Sequence, residues 1–144
     1  MADEYRVSFR WQRRPQGGLT ARLRRLAGQA LARLDVGACE VGILLCDDAT
    51  IRTLNRRFRH KDATTDVLSF PDGTSLPDGG RYLGDIAISL DTAGRQAEER
   101  GRALAREIEV LLLHALIHLS GYDHERDTGE MDRLEATLRK ELLR

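Results

Sequence analysis

The segment from about Arg102 to Ser120 is the most apolar stretch of the 144-residue chain. Leu111, Leu112, Leu113, Ala115, Leu116, Ile117 and Leu119 surround His114 and His118 there. The stretch predicts one long helix, and a helix with so little polar surface has to be covered by the rest of the chain. Gly121 suits the position just past its end, where a positive φ is usual.

The remaining sequence supplies the cover. Val7, Phe9 and Trp11 alternate with Arg6, Ser8 and Arg10, the pattern of a half-buried strand. A helix follows over 19–34, with Leu23, Leu26, Ala27, Ala30, Leu31 and Leu34 on one face. A second strand spans 39–46. Asp47 or Asp48 caps the next helix, which carries Ile51, Leu54 and Phe58. A short strand over 67–70 is ended by Pro71, and 72–80 is a glycine-rich loop. A strand over 83–90 leads to a helix capped by Asp91, running to about Arg100. Beyond the apolar helix, Asp127-Thr128-Gly129-Glu130 has the form of a capping box for a last amphipathic helix. With no repeat, linker or low-complexity tract, 1–144 is expected to form one α+β domain, about four strands with about five helices.

Composition narrows the class. No apolar run reaches the roughly 18 residues that span a bilayer, and the first residues do not read as a secretion signal. A cytoplasmic protein with no membrane partner is expected. Cys39 and Cys46 occupy an odd and an even position of one strand, so they face opposite sides and cannot bridge. Both read as small buried hydrophobes. The net charge is zero but uneven: residues 1–61 hold 13 Lys and Arg against 6 Asp and Glu, and residues 62–144 hold 10 against 17. A basic half suits an anionic partner, although 21 of the 23 basic residues are Arg and solvated surface explains the same count.

Three of the four histidines fall within eleven residues: His114, His118 and His124. Residues i and i+4 of a helix differ by about 40° around its axis, so His114 and His118 can reach one ion. Gly121 lets the chain turn and bring His124 back to it. Three neutral imidazoles suit tetrahedral Zn²⁺ with one position left for water. His60, distant in sequence and flanked by charge, is the weaker candidate for a fourth ligand. The spacing also fits the zinc-protease pattern H-E-x-x-H-x-x-G-x-x-H, but the glutamate that serves there as general base is Ala115 here.

Leu113-His114-Ala115-Leu116-Ile117-His118-Leu119-Ser120-Gly121-Tyr122-Asp123-His124 resembles the histidine motif of the YbeY family, usually HGxLHLxGYDH. Ala115 stands for the usual Gly and Ile117 for the usual Leu. Leu54-Asn55-Arg56-Arg57-Phe58-Arg59, then Thr65-Asp66-Val67-Leu68-Ser69-Phe70-Pro71, and Leu83-Gly84-Asp85-Ile86 resemble further family segments in family order. Thr64 replaces a usual Pro. The resemblance implies a compact α+β domain with the histidine helix at its centre and one zinc ion per monomer in a basic cleft. It implies a single-strand endoribonuclease of small-subunit rRNA 3′-end maturation and ribosome quality control. Ribosomal RNA, and the small subunit or its assembly proteins, are then the expected partners, and DNA is not. Carried over by position, His114, His118 and His124 are the metal ligands and Arg59 is the functional arginine.

Arg59 lies in the densest basic patch, where Arg56, Arg57 and Lys61 are candidate RNA contacts. Asp85, a carboxylate in an apolar strand, either orients a metal-bound histidine or pairs with an arginine. Two other functions fit the histidines: a zinc hydrolase of the metzincin protease type, and a ribosome-assembly factor whose metal is structural.

Overall fold

The computed structural model describes residues 4–121 and 129–143. Element order is β1 (Tyr5–Trp11), α1 (Leu19–Leu34), β2 (Cys39–Cys46), α2 (Asp48–Arg59), β3 (Val67–Pro71), β4 (Arg81–Ser89), α3 (Leu90–Arg100), α4 (Leu104–Leu119) and α5 (Glu130–Leu142). These form one α+β domain around a four-stranded mixed sheet in the order β1-β2-β4-β3. β1 and β4 each run parallel to β2, and β3 pairs antiparallel to β4 as an edge strand.

The apolar segment is the central helix. α4 buries Ile108, Leu112, Leu113, Ala115, Leu116 and Ile117 in one cluster with residues of α1, β2, β4 and α5. Two carboxylates on α4 are buried as well, and each is paired, as a buried charge must be. Glu107 meets Arg100 at 2.5 Å and Arg102 at 3.4 Å, and Glu109 meets Arg22 at 2.5 Å.

Strand alternation sorts the sheet into two faces. Ile86 and Ile88 of β4 join the cluster around α4, whereas Ala87 points the other way, to a smaller cluster with Cys46, Ile51 and Leu68 under α2. Cys39 and Cys46 fall on these two sides, as their parity requires; both are free and buried. Burial pushes the Cys46 thiol up to about 12, which leaves it protonated and inert.

Local signals outside strand and helix periods fared unevenly. Asp47 caps α2 by accepting from the Thr50 amide at 2.8 Å. α3 starts two residues earlier than a cap at Asp91 would place it. Its cap is Ser89, which accepts from the Thr92 amide at 3.2 Å. Asp91 is instead drawn to partners distant in sequence, the Asp48 amide at 2.9 Å and Arg13 at 2.6 Å. At α5, Gly129 occupies the cap position with φ 96° and no side-chain cap, so Glu130 begins the helix rather than closing a capping box. Asp127 and Thr128 lie outside the described residues.

Candidate metal and phosphate site

α4 presents His114 and His118 one turn apart, where the apolar face ends beside edge strand β3. Their rings meet edge to face, centroids 4.7 Å apart at 72°. The two Nε2 atoms are 3.2 Å apart. Two nitrogens bound at about 2.0–2.1 Å to one tetrahedral zinc ion are separated by about 3.3 Å, so the pair is already spaced for a shared ion. His124, the third expected ligand, lies outside the described residues, and among those described no further His, Cys, Asp or Glu completes a three-ligand cluster.

A residue not singled out in the sequence fixes the first imidazole. Glu135 of α5 accepts a hydrogen bond at Oε1 from His114 Nδ1. That bond sets the tautomer: with Nδ1 protonated, the Nε2 lone pair is free to face His118 and an ion. The hydrogen bond from His114 also holds the Glu135 carboxyl below its usual range, against the opposing effect of burial. A trace of this was present in the sequence. Glu135 lies four residues after Met131 and three before Leu138, both buried, which places a carboxylate beside the apolar stripe of α5.

The histidines open into a cavity of about 460 Å³ whose lining includes Arg59, Asp66, Arg100, Glu135 and Arg139. Arg59, the last residue of α2, thus shares a cavity with a histidine pair more than fifty positions away. Its Nη2 donates to the Ser69 carbonyl of β3 at 2.6 Å, and its guanidinium lies 5.9 Å from the centre of the Phe70 ring. Arg56, Arg57 and Lys61 are exposed on the same end of α2 and do not line this cavity. His60 ends α2 in the left-handed conformation, φ 59°, and is likewise outside the lining.

Asp85 does not orient either histidine of α4. It pairs in register with Gly42 and Phe70 on the sheet face turned away from α4, and it accepts a hydrogen bond from the Tyr82 hydroxyl at 2.5 Å. Parity explains this. Ile86 and Ile88 take the α4 side of β4, so Asp85 has to take the other, where it is exposed rather than buried and unpaired. The carboxylate that serves His114 comes from α5.

A donor set of paired, oriented imidazoles with a nearby guanidinium suits a divalent cation beside an anionic group. Comparison with known proteins agrees. The family model described as Endoribonuclease YbeY matches residues 12–143. A protein named Endoribonuclease YbeY from Anaeromyxobacter sp. (strain Fw109-5) is 50% identical over 127 residues, 86% of this chain and 66% of that protein. Another of that name, from Moorella thermoacetica, is 47% identical over 124 residues, 78% of this chain and 80% of that one. Its Anaeromyxobacter dehalogenans counterpart is matched over 65% of its length, so this chain spans about two-thirds of the Anaeromyxobacter relatives. A Thermotoga maritima protein solved in solution superimposes with a TM-score of 0.64 at 25% identity, covering 96% of this chain and 88% of that one. The chain belongs to the YbeY endoribonuclease family.

Proposed function

We propose that the protein is a zinc-dependent endoribonuclease that cuts single-stranded RNA in the cytoplasm, with small-subunit ribosomal RNA as its substrate. The observation that carries this reading is the convergence of the His114–His118 pair and Arg59 on one cavity. The relatives bearing the family name support RNA as the substrate class. The reading extends to 3′-end maturation and ribosome quality control, with the small subunit or its assembly proteins as partners.

His114 and His118, with His124 as third ligand, would hold the ion and leave a fourth position open. Zinc so held supplies Lewis acidity and makes hydroxide accessible near neutral pH. The chain's own residues do the rest. Glu135 keeps the His114 proton on Nδ1 and so keeps Nε2 available. Arg59 bonds β3 through one nitrogen and lines the cavity, so the other N–H groups of its fork can serve an anion there. Phosphodiester cleavage builds negative charge on the phosphoryl oxygens, and a planar guanidinium matches two of them at once. Arg56, Arg57 and Lys61 hold the flanking backbone by charge, an attraction that falls as salt rises. Ala115, fully buried with no proton-accepting group, leaves nothing in the position that zinc proteases use for their base.

Glu135→Gln is expected to weaken zinc binding by roughly 10–100-fold, because an orienting carboxylate outside the ligand set typically contributes that much. Titration against a competing chelator measures it, and an unchanged affinity would show that Glu135 has no part in holding the ion. The activity itself is tested by incubating zinc-loaded and chelator-stripped protein with single-stranded RNA and with the same strand in a duplex. Cleavage of the single strand by the loaded protein is expected. Cleavage that persists after the metal is gone would refute the proposal.

A further inference from the structure

The sheet face turned away from α4 holds a second cavity, of about 560 Å³, between α2 and the strands. Phe58 and Phe70 line one side of it, Gly42 and Asp85 its floor. Three features mark it.

The first is Phe58, which is 57% exposed. An aromatic ring left in water forgoes the transfer energy that would bury it. Its ring meets Phe70 edge-on, centroids 5.5 Å apart, so the two form one aromatic surface. The second is a pair of cations over that surface: Arg57 is 5.6 Å from the centre of Phe58, and Arg59 is 5.9 Å from that of Phe70. Arg59 also lines the histidine cavity, so its guanidinium stands between that cavity and the Phe70 ring of this one.

The third is the floor. In a regular strand, residues three apart face opposite sides. β4 carries an irregularity against β2, where Glu40 pairs with Tyr82 but the next residue, Val41, pairs with Gly84. The extra residue, Leu83, resets the alternation and brings Tyr82 and Asp85 onto one face. Gly84 permits it: its φ is 151°, and a Cβ there would come within 2.4 Å of the Phe70 carbonyl. Gly42 then makes room for the pair, since a Cβ at that position would lie 2.6 Å from Asp85 Oδ1 and 2.7 Å from the Tyr82 hydroxyl. Burial and the Asp85 hydrogen bond raise the Tyr82 phenol, so it stays a donor. Asp85 keeps acceptor capacity toward the cavity beyond what Tyr82 uses.

We propose that this cavity is a nucleobase subsite for the RNA strand cut at the histidine site, with the base stacked on Phe58 and Phe70 and selected for an amino group that donates to Asp85. The proposal rests on the reading of the protein as an RNA-cleaving enzyme. A phosphate held by Arg59 leaves the adjacent nucleotide beside Phe70, and unpaired bases stack on exposed aromatic rings and arginine planes. In the β3–β4 register Phe70 stands directly opposite Asp85, so the stacking surface and the acceptor are neighbours. A carboxylate accepts from the amino group of cytosine, adenine or guanine and repels the carbonyl that uracil presents instead. A protein partner pressed into the cavity would bury Asp85, whose charge then needs a matching cation.

Cytosine and uracil have the same ring size, so they isolate the amino group. The test is the ratio of kcat/KM for oligocytidylate and oligouridylate mixed in one reaction, using zinc-loaded protein. Wild type is expected to favour oligocytidylate by roughly tenfold, the scale of one hydrogen-bond discrimination. Asp85→Asn should move the preference toward uracil. Tyr82 would donate to the amide oxygen and leave the amide N–H groups facing the base. Phe58→Ala should lower kcat/KM for both substrates by roughly tenfold, mainly through KM, and Phe58→Trp should restore it. Zinc content and melting temperature accompany each variant, and exposed Phe58 tolerates both changes. If wild type cuts RNA but neither variant alters the ratio or the rates, the subsite is wrong and the ribonuclease reading stands. If wild type cuts neither substrate, both fall. If Phe58→Ala cuts RNA normally yet loses binding to purified small-subunit proteins, the cavity is a protein-docking surface and the base subsite is refuted.

Discussion

Replacing His118 with Ala is expected to strip zinc from the protein and bring RNA cleavage down to the level of chelator-treated wild type. The loss should exceed that of Glu135→Gln, because on the proposed reading His118 would supply a nitrogen to the ion itself whereas Glu135 would act through His114. Two nitrogens preset 3.2 Å apart are a chelate; with one gone, the ion keeps a single described imidazole and His124. The fold should survive. His118 is half-buried at the end of α4, and the core beneath it is made by Leu112, Leu116 and Ile117. Elemental analysis after gel filtration gives the zinc stoichiometry, and thermal melting checks the fold. A variant that retains full zinc would show that the histidine pair is not the site.

Arg59→Ala carries the second large effect. Charge grows on the phosphoryl oxygens as the transition state is reached, so a guanidinium aimed there binds the transition state better than the ground state. Loss of one such donor typically slows reaction by about 10²–10³. That is the fall expected in single-turnover rate, with zinc content unchanged and RNA affinity lowered modestly, because Arg56, Arg57 and Lys61 remain on the same end of α2. Arg59→Lys should rescue little. An ammonium placed to reach a phosphate cannot also keep the bond to the Ser69 carbonyl that orients the arginine fork. A variant with weak binding but a normal bound-state rate would make Arg59 a docking residue.

Much of this architecture was written in periodicities. β1 shows period two over Val7, Phe9 and Trp11, α1 the 3.6-residue stripe of Leu23, Leu26, Ala27, Ala30 and Leu31, and α4 a run apolar enough that only a central position satisfies it. The histidine spacing survived folding because it depends on one helical turn, a purely local geometry. What the chain did not disclose are pairings between distant segments. Glu135 reaches His114 from another helix, Arg59 is fixed by a β3 carbonyl, and Asp91 is taken from its own helix start by Asp48 and Arg13. The orientation of Asp85 depended on knowing which side of β4 meets α4, and its pairing with Tyr82 on a bulge that no alternation rule announces.

The proposed activity depends on an open zinc position held by imidazoles. X-ray absorption at the zinc edge, on the zinc-loaded protein in solution, tests it most directly. The predicted spectrum has three imidazole nitrogens at about 2.0–2.1 Å and one further light oxygen scatterer, with no sulfur near 2.3 Å. In His118→Ala protein forced to hold zinc by excess metal, the imidazole contribution should fall by one. Four protein ligands closing the coordination sphere, or an imidazole count that His118→Ala leaves unchanged, would contradict it.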